Sequence, residues 1–227
     1  MRAGQGRQEG PGQPRIRAAA AEDVPEVWRL RAVSWRAAYA GLIPPAYLDA
    51  MDTGPEEIAR AVRRFRQDPP GRHLLVAEQD GRIVAFACCG PERPMPEQLR
   101  TGVRRGEVYA LYAHPEVWST GVGGALFAAA RERLRADGLP QTVLWVLEAN
   151  ARARAFYQRQ GLHPTGARDL LRLGGALLTE LQYGSPVAVP TVAVPTTAAP
   201  TADAPVPAPA VVGQRSPGRL TPVRRGV

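Results

Sequence analysis

Three glycines that follow an apolar segment have the spacing most suggestive of chemistry in this sequence. The apolar segment 108–113 leads to Gly121, Gly123 and Gly124, which open an amphipathic helix. Backbone N–H groups in the first turn of a helix have no intrahelical acceptor, and the helix dipole adds partial positive charge there. Glycine lets an anion approach this backbone closely. The pattern therefore predicts a binding site for a phosphate or pyrophosphate group.

The absence of lysine excludes several common kinds of phosphate-binding site. All 29 basic residues are arginine, which excludes a P-loop and also excludes Schiff-base chemistry with pyridoxal phosphate. A dinucleotide-binding motif needs a small residue where Leu126 stands. It also needs an acidic residue about 20 positions further on, where the chain reads Pro140-Gln-Thr. The dinucleotide interpretation is therefore disfavoured.

A second strand and a short helix follow the glycine helix. The β-branched and aromatic segment 142–147 predicts a buried strand. Asn150 is placed to cap the next helix, and Gly161 is placed to end it. One face of that helix carries Ala153, Phe156 and Tyr157.

This order of elements closely resembles the acyl-CoA-binding half of the GNAT superfamily of N-acetyltransferases. The resemblance rests on a strand, a glycine-opened helix, a second strand and an Asn-x-x-Ala-x-x-Phe-Tyr helix, and it extends over most of residues 15–183. Within that range, Asp80-Gly81 between two apolar runs predicts a hairpin turn. The resemblance implies an α/β fold in which about four helices flank a mixed, mostly antiparallel sheet of about six to seven strands.

The resemblance also implies acetyl-CoA as co-substrate, with no metal. Backbone groups of Leu111, Tyr112 and Ala113 would bind the acyl and pantetheine portion, and Asn150 would bind the pantetheine arm. The family's phosphate motif usually begins with Gln or Arg, whereas Trp118 stands there in this chain, so we expect an altered rim around intact backbone amides. The implied cofactor-binding set is completed by Ser119, Thr120, Gly121, Val122, Gly123, Gly124, Ala125, Ala153 and Tyr157.

Acetyl transfer needs a base for the amine and an acid for the departing thiolate. Glu107 is the predicted base, because it opens the strand that leads to the glycines. The alternative is a strand-end carboxylate that is solvated or paired with Arg104 or Arg105. Glu148 is the second candidate, although exposed capping is the simpler interpretation there. Tyr157 matches the family's general acid, with packing as the alternative role.

The amine acceptor is left open by the sequence. By resemblance, the acceptor side contains Trp35, Tyr39, Tyr47 and Tyr109, and such rings can attract a cationic amine. The same rings could instead belong to the core, which is the favoured role for Trp35. A protein N-terminus, a small polyamine or amino acid, and an aminoglycoside-like antibiotic all fit this pattern.

Composition indicates one folded domain between two tails. Residues 1–14 are rich in Gly, Gln and Arg, and residues 184–227 are rich in Pro, Ala, Val and Thr. We expect both segments to be disordered, which leaves an acetyltransferase domain at 15–183. The whole sequence has a net charge of +8, but the part outside the two tails carries only a modest net positive charge. Nucleic acid is not an expected partner, because aromatic residues do not accompany the arginines. A homodimer is left open.

Cysteine usage and hydropathy indicate a cytoplasmic protein that does not span a membrane. Cys88 and Cys89 are adjacent on a predicted strand, so their side chains should face opposite ways and should not pair. Neither a signal core nor a run of about 18 apolar residues is present. Two other functions remain compatible with the sequence: a non-catalytic acyl-CoA sensor, and an interaction protein that acts through its tail.

Overall fold

The computed structural model describes residues 14–93 and 104–186, which form a seven-stranded sheet with the order β1-β2-β3-β4-β5-β7-β6. Its strands are β1 (Arg15–Ala18), β2 (His73–Gln79), β3 (Arg82–Pro91), β4 (Arg105–Ala113), β5 (Gln141–Leu147), β6 (His163–Leu173) and β7 (Ala176–Gly184). Neighbouring strands are antiparallel except for β4 and β5, which are parallel. The predicted mixed, mostly antiparallel sheet is confirmed.

Helices cover both faces of the sheet. They are α1 (Val24–Ala38), α2 (Pro45–Asp49), α3 (Pro55–Arg66), α4 (Val122–Ala136) and α5 (Ala151–Arg159), one more than expected because α2 is a short helix of five residues. On one face, Val27 and Leu30 of α1 pack against Phe86. On the other face, α4 buries Leu126 and Phe127 completely. Burial of these apolar stripes is the main force that holds the helices on the sheet.

The predicted hairpin joins β2 to β3. Asp80 and Gly81 both adopt positive φ angles, 52° and 73°, as the tight turns of β-hairpins require. Cys88 and Cys89 of β3 are free, and they contribute to clusters on opposite faces of the sheet. Both predictions are confirmed.

β4 and β5 separate along most of their length. The two strands pair only from Arg105 to Glu107 on β4. Shortly after this segment, Tyr109 is an extra residue in the pairing of β4 with β3, opposite Cys88 and Cys89. Such a β-bulge bends its strand. The bend therefore directs β4 away from β5 and opens a gap in the middle of the sheet.

The folded domain ends slightly later than predicted. Gly184 pairs within the sheet, whereas the sequence predicts that the tail begins at this residue. The Ser185 N–H donates to the carbonyl oxygen of Thr142 at 2.9 Å, and the Thr142 N–H donates to Ser185 Oγ at 2.9 Å. The boundary therefore moves to the end of this bridge. The disorder predicted for the tails concerns residues outside the described ranges, apart from Pro14 and residues 184–186.

Candidate functional site

The first turn of α4 has the geometry predicted from its glycines. Gly121 precedes the helix with φ +97°, a left-handed conformation that favours glycine. The Ala125 N–H donates to Gly121 O at 3.0 Å, so the N–H groups before it lack intrahelical acceptors. A Cβ on Gly123 would meet only the Phe156 ring, at 3.7 Å. Since the fold itself has room for a methyl group there, any strict need for glycine would come from a ligand.

The rim of this turn contains a cation that sequence reasoning missed. Trp118, which replaces the family's polar residue, donates from Nε1 to the Ala113 carbonyl oxygen at 2.9 Å. The Arg152 guanidinium lies over the Trp118 ring, 3.4 Å from its centroid. The sequence signal for this cation was the position of Arg152, two residues after the capping Asn150. A positive charge therefore stands beside the glycine turn, supplied from α5.

The second helix is capped as predicted. Asn150 is buried, and its Oδ1 accepts from the Ala153 N–H at 3.0 Å. This bond leaves the Nδ2 donors of Asn150 for another partner. Gly161 has φ +78° just beyond α5, which confirms the predicted end of the helix.

One cavity of about 1170 Å³ joins the glycine turn to the gap between β4 and β5. Three residues of the predicted cofactor set do not line it. Val122 is buried in the core, Thr120 donates to Val117 O at 2.8 Å, and Ala125 is exposed. The predicted residues that do line the cavity are Leu111, Tyr112, Ala113, Trp118, Ser119, Gly121, Gly123, Gly124, Asn150, Ala153 and Tyr157.

Glu107, the predicted base, is completely buried in an ion pair. Arg93 donates to this carboxylate from its guanidinium, with Nε at 2.9 Å from Oε1, and from its backbone N–H at 3.0 Å from Oε2. Of the two alternative partners, Arg105 pairs with Glu92. Glu107 is also absent from the cavity lining. Its carboxylate is therefore placed to hold Arg93, which does line the cavity.

A different carboxylate, Glu180 of β7, lines the cavity. Burial raises the pKa of Glu180 to about 7; the charge of Arg93 opposes the rise, and those of Asp169 and Glu107 add to it. Sequence reasoning missed Glu180, although a lone acidic residue in the apolar run Leu177-Leu-Thr-Glu-Leu181 was an available signal. Glu148, the second candidate, is a partly exposed residue paired with Arg168.

Tyr157 lines the same cavity from α5. Its ring packs against Phe127 and Phe156, with centroids 5.8 and 5.2 Å apart. Burial, and to a lesser extent Tyr112, raises the pKa of Tyr157 well above its ordinary value. The hydroxyl is therefore protonated at neutral pH and can donate a proton or a hydrogen bond.

The predicted acceptor aromatics divide into two groups. Tyr39, Tyr47 and Tyr112 all pack against Trp35. The Tyr39 and Tyr112 hydroxyls are 3.1 Å apart. Tyr109 lies apart from them and hydrogen-bonds the Pro91 carbonyl oxygen. We call the first group, together with Trp28 and Arg31, the aromatic lobe of the cavity. All of its members line the cavity, so the predicted rings take part in both the core and the cavity wall.

Arginines already lie over several of these rings. Arg31 is 4.9 Å from the ring centroids of both Trp28 and Trp35, and Arg72 is 4.9 Å from that of Tyr109. Arg31 was missed by sequence reasoning, although its spacing from the two tryptophans places a charge on their face of α1. A cationic amine would meet like charge at these rings.

The part of the chain that the structure describes contains neither a metal-binding cluster nor a membrane-spanning helix. Between residues 14 and 93 and between 104 and 186, no group of His, Cys, Asp or Glu could hold a metal ion. No helix within those ranges combines the length and the apolar character needed to cross a membrane.

Two proteins named as N-acetyltransferases are similar in sequence to this chain over more than two thirds of its length. The Bacillus subtilis protein named uncharacterized N-acetyltransferase YuaI is 29% identical over 175 residues, covering 75% of this chain and 92% of its own length. The probable N-acetyltransferase Rv2775 of Mycobacterium tuberculosis is 27% identical over 160 residues, covering 69% and 83%.

A solved structure and a family match agree with these relatives. The structure of yncA, a putative acetyltransferase from Salmonella typhimurium with its cofactor acetyl-CoA, superimposes with a TM-score of 0.55 at 20% identity, covering 80% of this chain and 99% of its own. Residues 35–162, more than half of the chain, match the family described as the acetyltransferase (GNAT) family. The chain therefore belongs to the acetyltransferase (GNAT) family and is an acyltransferase.

Proposed function

We propose that this protein transfers the acetyl group of acetyl-CoA to a primary amine, by direct attack in a ternary complex. One observation carries the proposal. One cavity is lined by the glycine turn of α4, by the hydroxyl-bearing Tyr157 and by the carboxylate Glu180. An anion site and an acid–base pair are the two parts that this reaction needs.

Residues of the described chain fit acetyl-CoA in charge and in space. The free N–H groups at Gly123 and Gly124 and the side chain of Arg152 would bind the phosphates. The backbone of β4 along the gap between β4 and β5, together with Nδ2 of Asn150, would bind the pantetheine arm. Acetyl-CoA would supply the thioester.

The acceptor nitrogen, as an ammonium, loses one proton before it bonds to the acetyl carbon and a second one as the tetrahedral intermediate collapses, while the sulfur gains one proton as its bond to that carbon breaks. Tyr157, whose hydroxyl is protonated at neutral pH, would give the sulfur its proton and regain one from the nitrogen. Either Glu107 or Glu180 would accept the first proton of the ammonium, directly or through water. The geometry favours Glu180, because Glu107 is committed to Arg93.

Calorimetry with acetyl-CoA, followed by a thiol-release assay with a panel of amines, tests the proposal. We expect binding of acetyl-CoA and thiol release that depends on one or more amines. A non-catalytic acyl-CoA sensor predicts binding without amine-dependent release, and an interaction protein predicts neither. Either of those results would overturn the proposed function.

A further inference from the structure

Arg31 is a buried cation without an anionic partner of its own. The residue is 9% exposed, and its Nε has no hydrogen-bond partner. Across residues 14–93 and 104–186, no carboxylate forms an ion pair with it. Burying a guanidinium without a counter-charge is costly. Burial lowers the pKa of Arg31, while Tyr112, Tyr47 and Glu57 act in the opposite direction.

The nearby charges do not supply the missing partner. Glu57 already accepts from Arg60 and Arg64, at 2.8 and 2.7 Å. Asp68, which also lines the cavity, is 3.4 Å from Arg72. Since these carboxylates are shared with other arginines, the aromatic lobe is left with a single uncompensated positive charge at Arg31. One negative charge on a ligand would balance it, whereas a phosphate dianion would bring more charge than this lobe can neutralise.

Arg31 lines the same cavity as Tyr157 and Glu180. Burial raises the pKa of the Tyr112 hydroxyl, the charge of Arg31 opposes this rise, and the charge of Glu180 adds to it. The cavity therefore presents both a cation, Arg31, and a carboxylate, Glu180, in its lining. An acceptor that carries an ammonium and a carboxylate would match both charges.

We propose that the acceptor is a small amine bearing a carboxylate, that is, a free amino acid, whose carboxylate is bound by Arg31 in the aromatic lobe. This inference rests on the proposed acetyl transfer and names the class of its acceptor. The amine end would face Glu180 and the thioester. The planar guanidinium of Arg31 can donate two parallel hydrogen bonds to a carboxylate.

A comparison of amino acids with their amides tests the proposal. Each of a panel of free α-, β- and γ-amino acids and its carboxamide is assayed for kcat/KM with acetyl-CoA. We expect the best acid to exceed its amide by roughly tenfold or more, as loss of a charge-assisted hydrogen bond implies. In Arg31→Met, which keeps the bulk of the side chain, that ratio should fall by a similar factor. Comparing the ratio between proteins cancels the different basicities of the two amines.

Two further variants separate binding from packing. Arg64→Met removes another cation that lies over the Trp28 ring but is paired with Glu57, so the ratio of acid to amide should be kept. Arg31→Lys keeps the charge and should retain part of the preference. A wild-type protein that uses amides as well as acids, or an Arg31→Met variant that slows both alike, would overturn the proposal.

Binding distinguishes this proposal from the proposed function. Calorimetric titration of the best amino acid into the protein saturated with CoA should give binding that its amide does not match, even if turnover is absent. Thiol release with amines that lack a carboxylate, and none with any amino acid, would support acetyl transfer and reject the role of Arg31.

Discussion

Glu180 combines burial with neighbouring charge in a way suited to proton transfer near neutral pH. Burial disfavours its ionised form; the Arg93 guanidinium opposes this effect, and the carboxylates of Asp169 and Glu107 strengthen it, giving a pKa of about 7. A base is active only when deprotonated. We therefore predict that kcat/KM of the wild-type protein rises as pH increases through about 7.

Substitution of the two candidate carboxylates identifies the base. Glu180→Gln should lower kcat roughly 10²-fold and remove the inflection near pH 7, the usual scale for loss of a general base. Glu107→Gln should also slow the reaction, because Arg93 loses its partner, but it should keep the inflection. Glu148→Gln is the matched surface control and should behave like the wild type. An inflection that survives in Glu180→Gln and disappears in Glu107→Gln would assign the proton to Glu107.

Tyr157 allows a substitution that separates chemistry from packing. Tyr157→Phe keeps the ring against Phe127 and Phe156 and removes only the hydroxyl. We expect an almost unchanged melting temperature and a kcat lowered by roughly 10²-fold, as for loss of a general acid. A variant with the full rate would show that the thiolate leaves without help from Tyr157.

The structural roles of residues were easiest to predict where they depend only on neighbours in the sequence. Asn150 as a cap, Gly121 in a left-handed turn and the pair Asp80-Gly81 follow from backbone chemistry within a few residues. The partner of Glu107 did not follow in this way. Arg93 comes from the preceding strand connection, and only the antiparallel pairing of β3 with β4 brings the two together. Glu180 reaches the cavity because β7 inserts between β5 and β6.

At the scale of elements, the start of α4 and the departure of β4 from β5 define where a cofactor would lie. The glycine helix was predictable from its own sequence. The gap was not, because it depends on a bulge at Tyr109 that appears only in the register between β3 and β4. Helix and gap together make a continuous path from the free N–H groups to Tyr157 and Glu180.

Gly123 tests the use of this path. Gly123→Ala should fold normally, because a Cβ there would make only an ordinary contact with Phe156 at 3.7 Å. Gly123→Trp should fill the space for the pyrophosphate and weaken acetyl-CoA binding by roughly 10²-fold or more, since the N–H groups would no longer be reachable. Calorimetry measures the affinity, and circular dichroism checks folding. Undiminished affinity in a folded Gly123→Trp variant would reject the glycine turn as the binding site.

At the scale of the whole molecule, the sheet is completed by the bridge from Ser185 to Thr142. The segment 187–227 contains no aromatic residue and is rich in proline, and such a composition does not form a packed core. We predict that deleting it leaves the melting temperature and the acetylation rate unchanged. A truncation after Tyr183 is the control, and it should lower the melting temperature because it removes the pairing of Gly184 and Ser185 with β5. A destabilised 1–186 protein would place the tail within the fold.

The account as a whole depends on acetyl transfer from acetyl-CoA to an amine, and product stoichiometry tests that claim most directly. The full-length protein is incubated with acetyl-CoA and the amine panel, while free thiol is followed by absorbance and acetylated amine by mass spectrometry. We predict that at least one amine yields equal amounts of thiol and N-acetyl product, at a rate that Glu180→Gln lowers. Bound acetyl-CoA with no acetylated amine, or thiol release that is independent of amine, would contradict the account.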